Sequence, residues 1–93
     1  MKVWILEHEF AYDGETPQTE ISVYANEELA RDAMQKEIGK DLAPGTLFGD
    51  AYAENENELV IDESENGWEV YFDGWHDDNY SSYCVYEKEV IGE

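Results

Sequence analysis

The sequence predicts an α+β fold: an antiparallel sheet of about four to five strands with one helix packed on one face, in the order ββαβββ. Three observations predict it. Apolar residues alternate with a period of two towards both ends of the chain. One helical pattern lies between the second and third strands. Asp-Gly and Asn-Gly pairs separate the alternating runs, as hairpin turns do. With 93 residues, the chain reads as a single domain, residues 1–93.

Residues 2–10 read as the first strand, with Val3 and Ile5 on one face and Trp4, Leu6 and Phe10 on the other. Apolar residues on both faces place it inside the sheet. Asp13-Gly14 marks a turn, and Ile21-Ser22-Val23-Tyr24 is the returning strand. Asn26 suits an N-cap, and Glu27 and Glu28 suit the positive end of a helix dipole. Leu29, Ala30, Ala33, Met34 and Ile38 form the apolar stripe of that helix, expected against Trp4 or Leu6. Lys36 and Lys40 suit its negative end, and Gly39 is the expected terminator. Pro44-Gly45 opens a loop that reaches about Phe48.

Ala51-Tyr52-Ala53 is a strand candidate, and Leu59-Val60-Ile61 is a better one. Ser64-Glu65-Asn66-Gly67 predicts a hairpin, with Asn66-Gly67 supplying the positive φ angles of a type I′ turn. Trp68, Val70 and Phe72 then alternate with Glu69, Tyr71 and Asp73. Residues 80–91 read as a long last strand, with Tyr83, Val85 and Ile91 on one side and Cys84, Tyr86 and Val90 on the other.

Twenty-four acidic residues against five basic ones leave a formal charge of −19. Such a chain is repelled by DNA, RNA and anionic lipid, which excludes direct nucleic-acid binding and a membrane surface as partners. The 42% hydrophobic share is enough for a packed core, so composition argues against disorder. No run of about 18 apolar residues exists to span a membrane, and the opening residues lack the length of a signal peptide. With its lone Cys84, the chain is expected in a reducing, cytoplasmic compartment.

Two chemical motifs have plainer readings. Asp62-Glu63-Ser64-Glu65-Asn66-Gly67 matches the opening of a calcium loop, with Asp73 at its twelfth position. A strand hairpin accounts for the same residues, so no metal is assigned. His8, His76 and Cys84 could supply a thiol and a base, but the surrounding negative charge disfavours a thiolate. Cys84 reads instead as a small buried strand residue. No phosphate loop or zinc spacing appears, so neither catalysis nor a cofactor is expected.

The acidity itself is the unusual feature. Net charge of roughly 2–8 suffices to keep a small domain soluble. A charge of −19 exceeds that and costs stability through self-repulsion. The functional reading is a surface for a strongly basic partner. Carboxylates at alternate strand positions recur about every 6.8 Å, two steps of the 3.4 Å rise per strand of duplex DNA. The candidate acids are Glu54, Glu56, Glu58, Glu63, Glu65, Glu69, Asp73, Asp77 and Asp78. Tyr52, Tyr71, Trp75 and Tyr80 lie among them as residue types that anchor interfaces. An unpaired sheet edge is also compatible with a homodimer.

The run Met1-Lys2-Val3-Trp4-Ile5-Leu6-Glu7-His8-Glu9-Phe10, with Tyr12-Asp13-Gly14-Glu15, Ile21-Ser22-Val23-Tyr24 and Asn26-Glu27-Glu28-Leu29-Ala30, resembles a group of small bacterial and phage ββα proteins of unknown function. Tyr86-Glu87-Lys88-Glu89-Val90 is similar to their final strand. That resemblance covers about half the chain and implies no site. By size and charge alone, the chain also resembles phage-encoded acidic nucleic-acid mimics of the anti-CRISPR and anti-restriction kind. This second resemblance implies a non-enzymatic inhibitor that occupies the basic nucleic-acid-binding surface of a host protein. The alternative is a small interaction or accessory domain that recognises its partner through an aromatic patch.

Overall fold

The computed structural model describes residues 1–12, 14–54, 58–73 and 79–91. Its architecture is α+β, with strands β1 (Lys2–Ala11), β2 (Gln18–Tyr24), β3 (Leu59–Glu63), β4 (Gly67–Phe72) and β5 (Tyr80–Glu89). Helices α1 (Glu27–Asp41) and α2 (Leu47–Ala53) lie between β2 and β3 in the chain. The strands form one sheet in the order β2-β1-β5-β4-β3, every neighbouring pair antiparallel. β1 is paired on both sides, as its two apolar faces require. Its longest partner is β5, in register from Lys2 opposite Glu89 to Ala11 opposite Tyr80.

Helix α1 begins where the sequence places it: the Asn26 side chain accepts from the Leu29 backbone N–H at 2.9 Å. Ala30, Met34 and Ile38, four residues apart, are its buried stripe. Leu29 is left 49% exposed, because one residue turns the helix by about 100° and carries that side chain off the stripe. Gly39 does not end the helix. The chain stays helical to Asp41, and the Leu42 N–H closes the last turn on the Ile38 carbonyl at 3.0 Å.

Helix α2 replaces the loop and the strand expected around residues 44–53. Thr46 is its N-cap, accepting from the Gly49 N–H at 2.9 Å, and Phe48 and Ala51 are its buried face. The Thr46 hydroxyl in turn donates towards the Asp41 and Ala43 carbonyls at 2.8 and 2.7 Å, fastening the two helices end to end. A side chain on Gly49 would meet the Ala43 carbonyl oxygen at 1.9 Å, which leaves room only for glycine.

The β3–β4 hairpin forms, but its turn is shifted from the expected one. Ser64 N–H donates to the Gly67 carbonyl at 3.0 Å, which centres the turn on Glu65-Asn66 and makes Gly67 the first residue of β4. Gly67 is not among the described positive-φ glycines, Gly14 and Gly45. Its need is steric: a Cβ would lie 2.8 Å from the Tyr83 carbonyl oxygen on β5. Gly67→Ala is therefore expected to cost about 1–3 kcal/mol, as overpacking against backbone does. Chemical denaturation measures it, and a change below about 0.5 kcal/mol would show that the hairpin yields freely. β5 ends at Glu89 rather than reaching residue 91, and Ile91 is 91% exposed.

The core lies on one face of the sheet. Leu6, Trp68, Val70, Tyr83 and Val85 meet Ala30, Met34, Ile38 and Phe48 there. Trp4 packs against this cluster from β1. Alternation therefore leaves Val3, Ile5, Glu7 and Glu9 of β1, with their cross-strand neighbours, on a face that carries neither helix. The molecule is elongated, 49 × 25 × 21 Å.

Candidate functional site

The helix-free face is organised in rows running across the strands. One row reads Asp62 (β3), Glu69 (β4), Ser82 (β5), Glu9 (β1) and Thr19 (β2), each directly opposite the next. On one side lies the row Val60, Tyr71, Tyr80 and Ala11. On the other, Glu7 stands opposite Cys84 and Ile21, and beyond it Ile5 stands between Val23 and Tyr86. With strands about 4.8 Å apart, four carboxylates occupy two adjacent rows, flanked by tyrosines on one side and an apolar strip on the other. Ile21, Val23 and Tyr86 of that strip are exposed.

The tyrosines are tied to the acids. Tyr80 OH donates to Glu9 Oε1 at 2.5 Å, and Tyr71 OH donates to Asp62 Oδ2 at 3.3 Å. Partial burial, and then the negative charge of Asp62 and the bond to it, raise the Tyr71 hydroxyl above its ordinary pKa, so it remains a donor at neutral pH.

Positive charge is kept elsewhere. Arg31, Lys36 and Lys40 sit on α1, and Lys2 shares the helix-covered face, bridged to Glu87 at 3.3 Å. Lys88, opposite Val3, is the one Lys or Arg on the helix-free face. Asp62 and Glu69 stand directly opposite one another, and like charges so placed oppose strand pairing.

Of the described acids singled out from sequence, Glu69 is the one paired within the sheet on this face, with Tyr71 and the buried Tyr80. Glu63 falls opposite Trp68, on the helix-covered side. Glu65 is in the hairpin turn, where its carbonyl accepts from Arg31 Nη1 at 3.0 Å. Glu54 caps α2 and Glu58 precedes β3, so neither is a strand residue. Asp73 follows β4, donating its N–H to the Glu58 carbonyl at 2.7 Å, and Tyr52 is 55% exposed on α2. Glu56, Trp75, Asp77, Asp78 and His76 lie outside the described residues. Glu7, Glu9 and Asp62 are the acids that sequence reasoning missed; the two-residue period of β1 and β3 was the signal for them.

The calcium and thiol motifs come apart. Asp62 and Asp73 lie at opposite ends of the β3–β4 pair, since Asp62 faces Glu69 while Asp73 follows Phe72. Cys84 is exposed, not buried, because it points to the helix-free face. His8 points to the other face, opposite Tyr83, so His8 and Cys84 form no thiol–imidazole pair. Among the described residues no three His, Cys, Asp or Glu converge on a common point.

The described chain instead holds a polar cluster beneath the end of α1. Asp41 Oδ2 accepts from Ser81 Oγ at 2.6 Å and from Tyr83 OH at 2.7 Å. His8 Nε2 meets Ser81 Oγ at 2.7 Å, and its ring stacks on Tyr83 at 4.1 Å. Ser81 has given its only proton to Asp41, so His8 Nε2 is the donor. Burial pushes the Tyr83 hydroxyl well above its ordinary pKa, helped by the bond to Asp41. Ser81 is fully buried, so its hydroxyl anchors the cluster and is not presented to a substrate.

Burial lowers the His8 pKa below 6.5, against the pull of Asp41, Glu20 and Glu37. The unfolded chain then binds a proton before the folded one does, so stability falls as pH drops from 6.5 through the lowered value. The melting-temperature advantage of the native protein over His8→Gln is expected to shrink between about pH 7.5 and about pH 5. A constant difference would contradict the assignment.

No helix among the described residues is long and apolar enough to cross a membrane. Comparison with protein-family models, with curated proteins and with solved structures finds no match for this chain.

Proposed function

We propose that the protein is an acidic decoy, a non-catalytic inhibitor of the DNA-mimic, anti-CRISPR or anti-restriction type, and that its helix-free sheet face occupies the basic nucleic-acid-binding surface of another protein. The scarcity of cations carries the reading: Glu7, Glu9, Asp62 and Glu69 share a face on which Lys88 is the one Lys or Arg. Magnitude supports it as well. A net −19 along 49 Å is one charge per about 2.6 Å, against about 1.7 Å along the axis of duplex DNA. The carboxylates would speed encounter and select a cationic surface, and the adjoining Tyr71 would add contact area.

Capture of partners at low and at high salt tests this. The expected partner is a nucleic-acid-binding protein released by moderate salt, since exposed charge pairing is screened over about 8 Å at physiological ionic strength. The exposed strip of Ile21, Val23 and Tyr86 favours a second reading, an interaction domain held by apolar contact. A partner that survives high salt and has no basic groove would establish that second reading and overturn the first.

A further inference from the structure

A cavity of about 390 Å³ opens where α1 ends, α2 begins and the chain leaves β1; Tyr12, Asp41, Thr46, Leu47 and Phe48 line it. That volume lies within the range of small-molecule sites. Its wall combines the ring of Tyr12, backed by the buried Phe48 ring at 6.0 Å between centroids, with one carboxylate.

The carboxylate is unusually placed. Asp41 is the last residue of α1, at the negative end of the helix dipole, where cations are favoured and anions disfavoured. The arginine and lysine ion pairs of the described residues go elsewhere: Arg31 to Glu27, Lys40 to Glu37 and Lys2 to Glu87. Asp41 is stabilised by neutral hydroxyls, and both bond the same oxygen, Oδ2. No described group bonds Oδ1. Every buried side-chain oxygen and nitrogen among the described residues has a hydrogen-bond partner, so Oδ1 reaches solvent. A half-buried anion at a helix C-terminus, beside the face of Tyr12, lacks a cation.

We infer that this cavity binds an organic cation, an alkylammonium group, with Asp41 as its counter-ion and the ring of Tyr12 as its cation–π wall. A hard metal ion suits the site less, because it needs six or more oxygen ligands where one carboxylate stands. The ammonium could belong to a free amine or to a lysine side chain. The inference does not depend on the decoy reading, since the cavity lies on the helix side of the sheet.

Tetramethylammonium, n-butylammonium and Nα-acetyl-lysine methylamide are the probes, each titrated into the ¹⁵N-labelled protein, with uncharged 3,3-dimethylbutan-1-ol as the isosteric control. Saturable shifts confined to the amides of Tyr12, Asp41, Thr46, Leu47 and Phe48 are expected. They should weaken at least about tenfold in Asp41→Asn, which retains an acceptor for Ser81 and Tyr83. Leu47→Lys, at an exposed rim position, should abolish them by placing its own ammonium over the cavity, and it keeps the test valid if Asp41→Asn fails to fold. Tighter binding of the lysine derivative assigns a protein source, and tighter binding of the simple ammonium ions assigns a free amine; both support the inference. Equal binding of the neutral alcohol, shifts spread over the acidic surface, or unchanged binding in Leu47→Lys would overturn it.

Discussion

Phe48→Ala is expected to destabilise the protein by about 3–5 kcal/mol. Phe48 is 1% exposed, and its ring stacks on Phe72 at 5.5 Å and lies 6.0 Å from Tyr12. Truncation removes apolar area from the core and leaves a cavity between α2, β4 and the end of β1 that the neighbouring rings cannot fill. Domains of this size are stable by about 5–15 kcal/mol, so the loss is a large share of the total. Urea denaturation measures it, with Leu47→Ala as the comparison. Leu47 precedes Phe48 on the same helix but is 47% exposed, and its truncation is expected to stay within about 1 kcal/mol. Equal effects at the two positions would mean that α2 does not dock through Phe48.

The second large effect is on binding. Asp62→Lys combined with Glu7→Lys is expected to weaken affinity for a basic partner by at least about tenfold and to flatten its salt dependence. Stability should move the other way or stay level. Asp62 stands opposite Glu69, and an opposite-charge pair there contributes about 0.2–1 kcal/mol where like charges oppose pairing. The change gives up only the exposed 3.3 Å bond from Tyr71. Opposite signs for stability and affinity separate loss of a binding surface from loss of fold. Unchanged affinity in this double variant would shift recognition to the apolar strip around Ile21 and Val23.

The fold was legible where periodicity is strong. Both faces of β1 are apolar, so its interior position follows from residues 2–10 alone, and the Asn26 cap and the 30-34-38 spacing place α1. Helix α2 was hidden by its shortness and by Pro44 and Gly45 upstream. Its signal was Thr46, three residues before the Gly49 amide it caps. The candidate site was half legible. Net charge pointed to an anionic surface, yet Glu54 and Glu58, the described acids of the 54-56-58 alternation, lie outside the strands. The acids that share the helix-free face come from three different strands, 7 and 9 from β1, 62 from β3 and 69 from β4, and only pairing registers bring them together. The Asp41 cluster was invisible for the same reason: Asp41 and Ser81 are 40 residues apart, with nothing local to link them.

Competition with duplex DNA for the captured partner tests the central claim most directly. If the helix-free face stands in for the phosphate backbone, labelled duplex and this protein must exclude each other, each displacing the other in proportion to its concentration. A stable ternary complex of partner, duplex and protein would contradict the decoy account.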